Sequence, residues 1–458
     1  MISGLPLAGL VIFGILFVGA LFLILWNKPV LVVYIQLGNC FFARYMVSDL
    51  HVPEAYKYFA DFLTVILLIQ IILQFNKTKT LNIRKPIIGI ILFIIVIILS
   101  SVYNGSSMIF FIWGLRVFFR FFIFFLACTI FLKGKDIEKL LNFMLKLLPI
   151  NMAVILFQYF VLGYEDDNLG GLFGSGKGCN NELNLYLTIL LVTTLVYYIN
   201  KKMGFFNFSV NIGLIGIIAA LTELKIVYPV IVFEMILVFI FSYQNKRAKT
   251  MLVSGILISF IGLIVFFIAY PDWLEIFMEP DRAIDHLFKM RYSAQSYFTL
   301  SRLNAGDYVI KNILTEPMRK MFGIGFGNAD MFLNVTSSFY DRYEDLVYFG
   351  FLYSIIIIEI GIVGLIVYCL FFVIVSYESL RVKRKLDDKN NIYCIISFGI
   401  SILIFLMIIY DIALIADGAM MIYFTLSFPF ILEKDLYEER IDINRNKLPL
   451  KLKTNLEG

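Results

Sequence analysis

The sequence predicts an all-α polytopic membrane protein of about 12–13 transmembrane helices, with one large extracytoplasmic loop containing short helices. Three observations predict it. The 458 residues are 60% hydrophobic and only 16% charged, with a mean hydropathy of +0.86, beyond what a soluble domain usually carries. Apolar runs long enough for a bilayer helix succeed one another along the chain. The polar sequence between them is short except once, from Pro271 to Val347.

The runs fall near 7–26, 29–46, 58–74, 86–102, 108–132, 145–163, 182–199, 208–222, 226–242, 251–269, 348–373, 392–410 and 419–432. Those at 29–46, 208–222 and 419–432 are short, as tilted, re-entrant or broken spans are. The first run lacks a basic start and is too long for the core of a cleavable signal peptide. Residues 1–432 read as a single membrane domain with the 271–347 loop as its lid. Residues 433–458 read as a polar, loosely ordered cytoplasmic tail. No internal repeat is present, which weighs against the transporter architectures built from repeated halves.

Lysine and arginine set the orientation. Lys77 to Lys85, Lys133 to Lys139, Lys201–Lys202, Lys246 to Lys249, Arg381 to Lys385 and the tail all fall on one side if the runs alternate, so that side is cytoplasmic. The 164–181 and 271–347 loops then lie outside. This distribution accounts for the net charge of +5, so no nucleic-acid partner is implied. Of five cysteines only Cys179 sits clearly in an outer loop, and no CxxC pattern occurs. Two histidines, His51 and His286, do not make a histidine-built metal site, and neither a metal nor another cofactor is expected.

Within the large loop, Tyr297, Leu300, Leu303, Ile310 and Leu314 form one apolar stripe, predicting a helix over 294–314 that Pro317 ends. Arg302 projects from another face of it, after Ser301. Gly323, Gly325 and Gly327 alternate, as in a backbone that turns tightly or lets a ligand approach. The 164–181 loop contains Gly174-Ser175-Gly176-Lys177-Gly178, but no P-loop, because Gly178 stands where Ser or Thr is required. It reads as a glycine-rich re-entrant loop near substrate.

Charges inside spans are costly and usually have a use. Arg116 and Arg120 lie one turn apart on one face of the fifth run, and either pair with carboxylates such as Asp61 or Glu234 or hold a phosphate. Glu223 and Lys225 sit at the tip between the eighth and ninth runs, where Lys225 is either a site cation or a snorkelling side chain. Glu344, in Asp341-Arg342-Tyr343-Glu344-Asp345, is either a general base for a sugar hydroxyl or an interfacial anchor. Tyr308 and the loop's other tyrosines can anchor at the membrane interface.

The combination of Thr222 to Lys225, Ser301-Arg302, Gly323/Gly325/Gly327 and Glu359-x-Gly361-x-x-Gly364, flanking one large outer loop, resembles the O-antigen polymerase and ligase superfamily of the Wzy type. The resemblance covers the sixth to eleventh runs, about half the chain, and rests on the order and sidedness of individually degenerate motifs. Lys225 stands where the family often has Arg, and Gly350-Phe351 where ligases carry a His, which weighs against a ligase. The resemblance implies a polysaccharide polymerase, a glycosyltransferase in the bacterial plasma membrane that joins undecaprenyl-pyrophosphate-linked oligosaccharide units on the outer face. Its partners would be these lipid-linked donors and acceptors, membrane lipid, and a chain-length regulator and flippase of the same pathway. In that reading Arg302, Lys225 and Glu344 are catalytic, while Arg116, Arg120, Ser301, Gly323, Gly325, Gly327, Glu223 and Tyr308 bind substrate. The diphosphate leaving group needs cations, which these residues supply without a metal. The competing readings are a ligase with another acceptor and a lipid-linked oligosaccharide flippase.

Overall fold

In the computed structural model the described residues are 28–74, 84–242, 246–269, 291–292, 298–332, 335–387 and 390–447, with Gly14 and Gly19 besides. The expected run at 7–26 therefore lies outside them apart from those two glycines, as do 271–290, 293–297 (Tyr297 included) and the end of the tail. The helices are α1 (Pro29–Ser48), α2 (Phe59–Gln74), α3 (Arg84–Asn104), α4 (Met108–Phe131), α5 (Gly134–Phe160), α6 (Cys179–Ile199), α7 (Phe205–Leu221), α8 (Val227–Ser242) and α9 (Lys246–Ala269). After a two-residue antiparallel ribbon, β1 (Arg291–Tyr292) with β2 (Phe298–Thr299), come the short α10 (Ala305–Tyr308), α11 (Pro317–Phe322) and α12 (Ser338–Tyr343). The long α13 (Leu352–Lys383), α14 (Asn391–Tyr410), α15 (Ala419–Leu426) and α16 (Phe428–Lys447) complete the chain.

Eight of the described helices (α1 to α6, α13 and α14) are long and apolar enough to cross a bilayer, and α7 and α8 are apolar but shorter. This is the pattern of a multi-pass membrane protein. Lipid-facing positions are recognisable by apolar exposure: Leu73 is 77% exposed and Val102 76%, on helices whose other faces are buried. Helix α6 is different, buried on every side, which is why its apolar residues show no stripe. It is the axis around which α5, α7, α8, α14 and α15 pack.

The two ends of the bundle differ in chemistry. At the lysine end, Arg381 bridges Glu378 at 2.5 Å and Glu433 at 2.6 Å, and Lys85 joins Glu378 at 2.6 Å. Lys434 is buried there and donates to the carbonyls of Thr129, Ile130 and Leu132 at 3.0, 2.9 and 2.5 Å. These are last-turn oxygens of α4 that its own backbone leaves unpaired, so a side chain from α16 closes that helix. The contacts also explain a difference from the sequence reading. The segment after Glu433 was expected to be loosely ordered, yet α16 continues to Lys447, tied down by Glu433 and Lys434. The last expected run, 419–432, is two helices that meet at Ser427.

The opposite, loop-bearing end departs further from expectation. The helix predicted over 294–314 is replaced by β2, a turn, α10 and one π-helical turn at Val309–Ile313. The cause is long-range: the Leu300 amide donates to Leu346 O at 3.1 Å, pulling 298–300 into extended backbone beside the approach to α13. Pro317 opens α11 as its first residue, where its missing N–H costs nothing, and does not close the preceding helix.

Helix α13 is broken at Gly361, whose φ is 72°. The glycine run docks into that break. Ile324 N donates to Ile358 O at 2.8 Å and Gly325 N to Glu359 O at 3.0 Å, so backbone pairs with backbone. Ser100 Oγ from α3 reaches both Phe322 O and Glu359 O, at 2.5 and 2.8 Å. The Glu359 carboxylate accepts from Ala329 N at 3.3 Å. Gly323, Gly325 and Gly327 all have positive φ and are buried against Glu359, Ser106 and Phe110, which pins the loop to α3, α4 and α13.

Candidate active site

The cations singled out in the sequence separate into two settings. Arg116 and Arg120 share a face of α4, and both meet carboxylates. Arg116 Nε donates to Asp61 at 2.7 Å and stacks over Trp113 and Tyr58. Arg120 donates to Asp417 at 2.5 Å and to Ile415 O at 2.9 Å, with Asp61 at 3.9 Å. The chain of charges continues through Glu182, which accepts from Gly418 N at 2.7 Å and faces Arg44 at 3.7 Å. Of the two readings open for this arginine pair, pairing with carboxylates is the arrangement present, with Asp61 and Asp417 as partners. Glu234, the other carboxylate considered, is fully buried on α8 against Gly399.

Arg302 is set differently. It is exposed, makes no ion pair among the described residues, and stands over the Tyr410 ring, its Cζ 4.2 Å from the ring centroid. Its backbone is held in place, with Arg302 O accepting from Tyr353 Oη at 2.6 Å and Gly306 N donating to the same hydroxyl at 3.0 Å. The neighbouring Ser301 is buried and starts the turn, with Ser301 N donating to Asn304 Oδ1 at 3.2 Å. Tyr410 is the meeting point, because its hydroxyl lies against the backbone of Ile226, the residue after Lys225. The 222–226 turn and the Ser301-Arg302 segment, far apart in sequence, therefore reach one side chain. In that turn Glu223 has φ of 51° and its carboxylate holds Lys225 at 3.0 Å. Asn180 at the start of α6 ties the turn to the 164–181 loop, donating to Thr222 O at 3.2 Å and to Asp167 at 2.8 Å.

The 164–181 loop itself is folded inward. Asn151 and Gln158 of α5 accept from Leu172 N and Gly171 N, each at 2.8 Å, and Leu172 and Phe173 are buried. Glu344 lies in an exposed helical turn before α13, and Tyr308 is half-buried on α10. Gly323, Gly325 and Gly327 are spent on the joint with α13 described above.

Beside Arg302 an apolar groove of about 290 Å³ opens between α13 and α14, lined by Leu303, Tyr353, Leu365, Cys369, Phe405 and Ile408. A cation next in the chain to a lining residue of an apolar groove suits an amphiphile with an anionic head.

Sequence reading missed the residues that organise this end: Asp411, Asp417, Glu182, Asn184 and Tyr410. The available signal was the pair of carboxylates in Asp411-Ile-Ala-Leu-Ile-Ala-Asp417, a short connection at the same end as two span arginines. Asp411 is buried and accepts from Ala413 N at 2.8 Å. Burial pushes its carboxyl up to about 7, against the pull of the Ala413 amide, the Asn184 side chain and the Arg302 charge. The carboxyl is therefore neutral below that pH and charged above it. The charged form offsets Arg302, so anion binding there is expected to weaken between about pH 6 and about pH 8. Titrating a polyprenyl diphosphate onto wild type and Asp411→Asn at each pH checks this, since the probe's own ionisation cancels in the comparison. The ratio of wild-type to variant affinity should fall with rising pH; a constant ratio would separate Asp411 from the site.

No protein-family model matches this chain, and no curated protein matches it at a significant level.

Proposed function

We propose that this protein is a polysaccharide polymerase of the bacterial plasma membrane, joining undecaprenyl-pyrophosphate-linked oligosaccharide units at its loop-bearing, extracytoplasmic end. The observation that carries the reading is Arg302, exposed and without an ion pair among the described residues, standing over Tyr410, where the neighbours of both in the chain, Leu303 and Ile409, line the α13–α14 groove. The groove suits a polyprenyl chain, and the guanidinium suits the diphosphate at its head. The order of motifs along the chain supports the same reading.

In the reaction, an acceptor hydroxyl attacks the anomeric carbon of the donor sugar. The new glycosidic C–O bond forms as the bond to the diphosphate oxygen breaks, and the hydroxyl proton leaves to a base. Negative charge grows on the diphosphate, and a fixed guanidinium stabilises that change more than the ground state. Lys225 stands one residue from Ile226, which Tyr410 touches, so it is the second cation for that charge. Arg116 and Arg120 are held by Asp61 and Asp417, and in this reading their role is structural.

Direct binding tests the donor site. Undecaprenyl diphosphate and undecaprenol share the chain and differ in the head. The purified protein should bind the diphosphate at least about tenfold more tightly, a difference of about 1.4 kcal/mol, and Arg302→Ala should remove most of that gap. Equal affinities for the two lipids in wild type would overturn the reading.

A further inference from the structure

A second polar cleft, of about 370 Å³, shares no lining residue with the groove beside Arg302. Helix α13 packs between α14, whose end carries Tyr410, and α3, whose last residue Asn104 lines this cleft. Its remaining walls come from α11, the glycine run and α12. The volume is in the range of small-molecule sites, about 300–1,000 Å³.

The lining is chemically one-sided. Arg319 and Arg342 face it from α11 and α12, and no carboxylate is among its described lining residues. Arg342 makes no ion pair among the described residues and lies beside the Tyr343 ring at 5.5 Å. Arg319 meets Glu316, at 3.2 Å, in a pair that is about half exposed on both sides and so weakly held. Two asparagines complete the wall with their amide groups already committed. Asn104 Nδ2 donates to Ser100 O at 2.8 Å and Gly323 O at 3.1 Å. Asn328 Nδ2 donates to Ile324 O at 3.0 Å and to Ser106 Oγ at 3.3 Å. Each amide's orientation is thereby set, leaving its carbonyl oxygen as an acceptor. The exposed Ser338 hydroxyl adds a group that can donate or accept.

We infer that this cleft is a glycan subsite for an acidic sugar, distinct from the site at Arg302. Guanidinium forks recognise the carboxylate or phosphate, and asparagine oxygens accept from sugar hydroxyls. The Tyr343 ring offers a face to the pyranose. A bare anion would use the arginines alone and leave the fixed acceptors idle, whereas a polyhydroxylated anion satisfies both. The inference deepens the polymerase reading, since it gives that enzyme a hold on a growing chain whose repeat unit carries negative charge. The glycine run supports the cleft from behind, because it fixes Ile324 and Asn328 to α13 and α3.

The test uses the full chain in detergent with three soluble probes: tetragalacturonic acid, maltotetraose and inorganic phosphate. The acidic tetrasaccharide should bind at least about tenfold more tightly than either of the others. Arg342→Gln, and separately Arg319→Gln, should each weaken it by about fivefold to tenfold, while Arg302→Ala should leave it unchanged. Both arginines are on the surface, so the variants should keep the wild-type melting temperature. Phosphate binding as tight as the tetrasaccharide's, unchanged binding in Arg342→Gln, or loss of binding only in Arg302→Ala would each overturn the inference. None of these outcomes depends on the diphosphate test at Arg302. The two proposals therefore fail separately.

Discussion

Cells carrying Arg302→Ala are expected to make no polymer, although the protein accumulates to its normal level. The residue is exposed, stands over the Tyr410 ring and makes no ion pair among the described residues, so removing it is expected to leave the fold intact. The loss falls on the reaction. A positioned donor aimed at developing negative charge typically supplies about 10²–10³ in rate, or roughly 2.7–4 kcal/mol. Arg302→Lys keeps the charge and recovers only a small part of the rate. Lysine presents a point charge where a flat guanidinium both stacks on Tyr410 and forks onto two phosphate oxygens. Gel electrophoresis of extracted glycan, with immunoblotting for the protein, checks both variants. Wild-type chain lengths in Arg302→Ala would remove the residue from the site.

Gly361→Ala is expected to abolish the folded protein. At this break in α13, φ is 72° and ψ is −174°, a region almost confined to glycine that costs another residue about 1–3 kcal/mol. Steric overlap costs more. An added Cβ would stand 2.1 Å from Met321 O and 2.4 Å from Phe322 N, both backbone atoms that no rotamer change moves. Relief requires α11 to separate from α13, which breaks the Ile324–Ile358 and Gly325–Glu359 hydrogen bonds. Gly323→Ala meets the same joint from the other side, with Glu359 O at 2.4 Å. A combined cost of about 4–5 kcal/mol or more is expected, enough to unfold most domains of ordinary stability. Gly350→Ala is the control, since its Cβ meets nothing within 4 Å and its φ is not positive. Thermal unfolding in detergent should separate the three; a wild-type melting temperature for Gly361→Ala would show that the joint yields.

Much of the membrane portion was legible in the sequence because the signal there is local. A helix in lipid needs only length and apolarity, and α1 to α6, α13 and α14 carry both within their own residues. What was not legible depended on partners distant in sequence. The apolar stripe through Leu300, Leu303 and Ile310 has helical spacing, but the hydrogen bond from Leu300 to Leu346 overrides it. Glycines 323, 325 and 327 read equally as ligand-binding or as tightly packed, and only their proximity to Glu359 and Phe110 shows the packing. The continuation of α16 past Glu433 follows from Arg381 and Lys385, about fifty residues earlier.

The site divides along the same line. Arg302 and Lys225 stand out as candidates because a cation near a membrane surface is visible in any sequence. That both their segments reach Tyr410 depends on contacts between distant parts of the chain, and the tyrosine itself gave no signal, being one of 26. Asp61 was considered for Arg116 and Arg120 because it lies within a span, whereas Asp417 escaped notice because it lies between two. A count of span charges alone therefore leaves an arginine short of its carboxylate.

The most direct measurement of the central claim is the product of the purified protein acting on one defined substrate. An undecaprenyl-diphosphate-linked oligosaccharide repeat unit, incubated with the protein in detergent or vesicles, should yield a ladder of products spaced by one repeat, with undecaprenyl diphosphate released in step. Arg302→Ala should yield none. Unchanged substrate with the wild-type protein, or transport of the lipid across the vesicle without any longer product, would contradict the account.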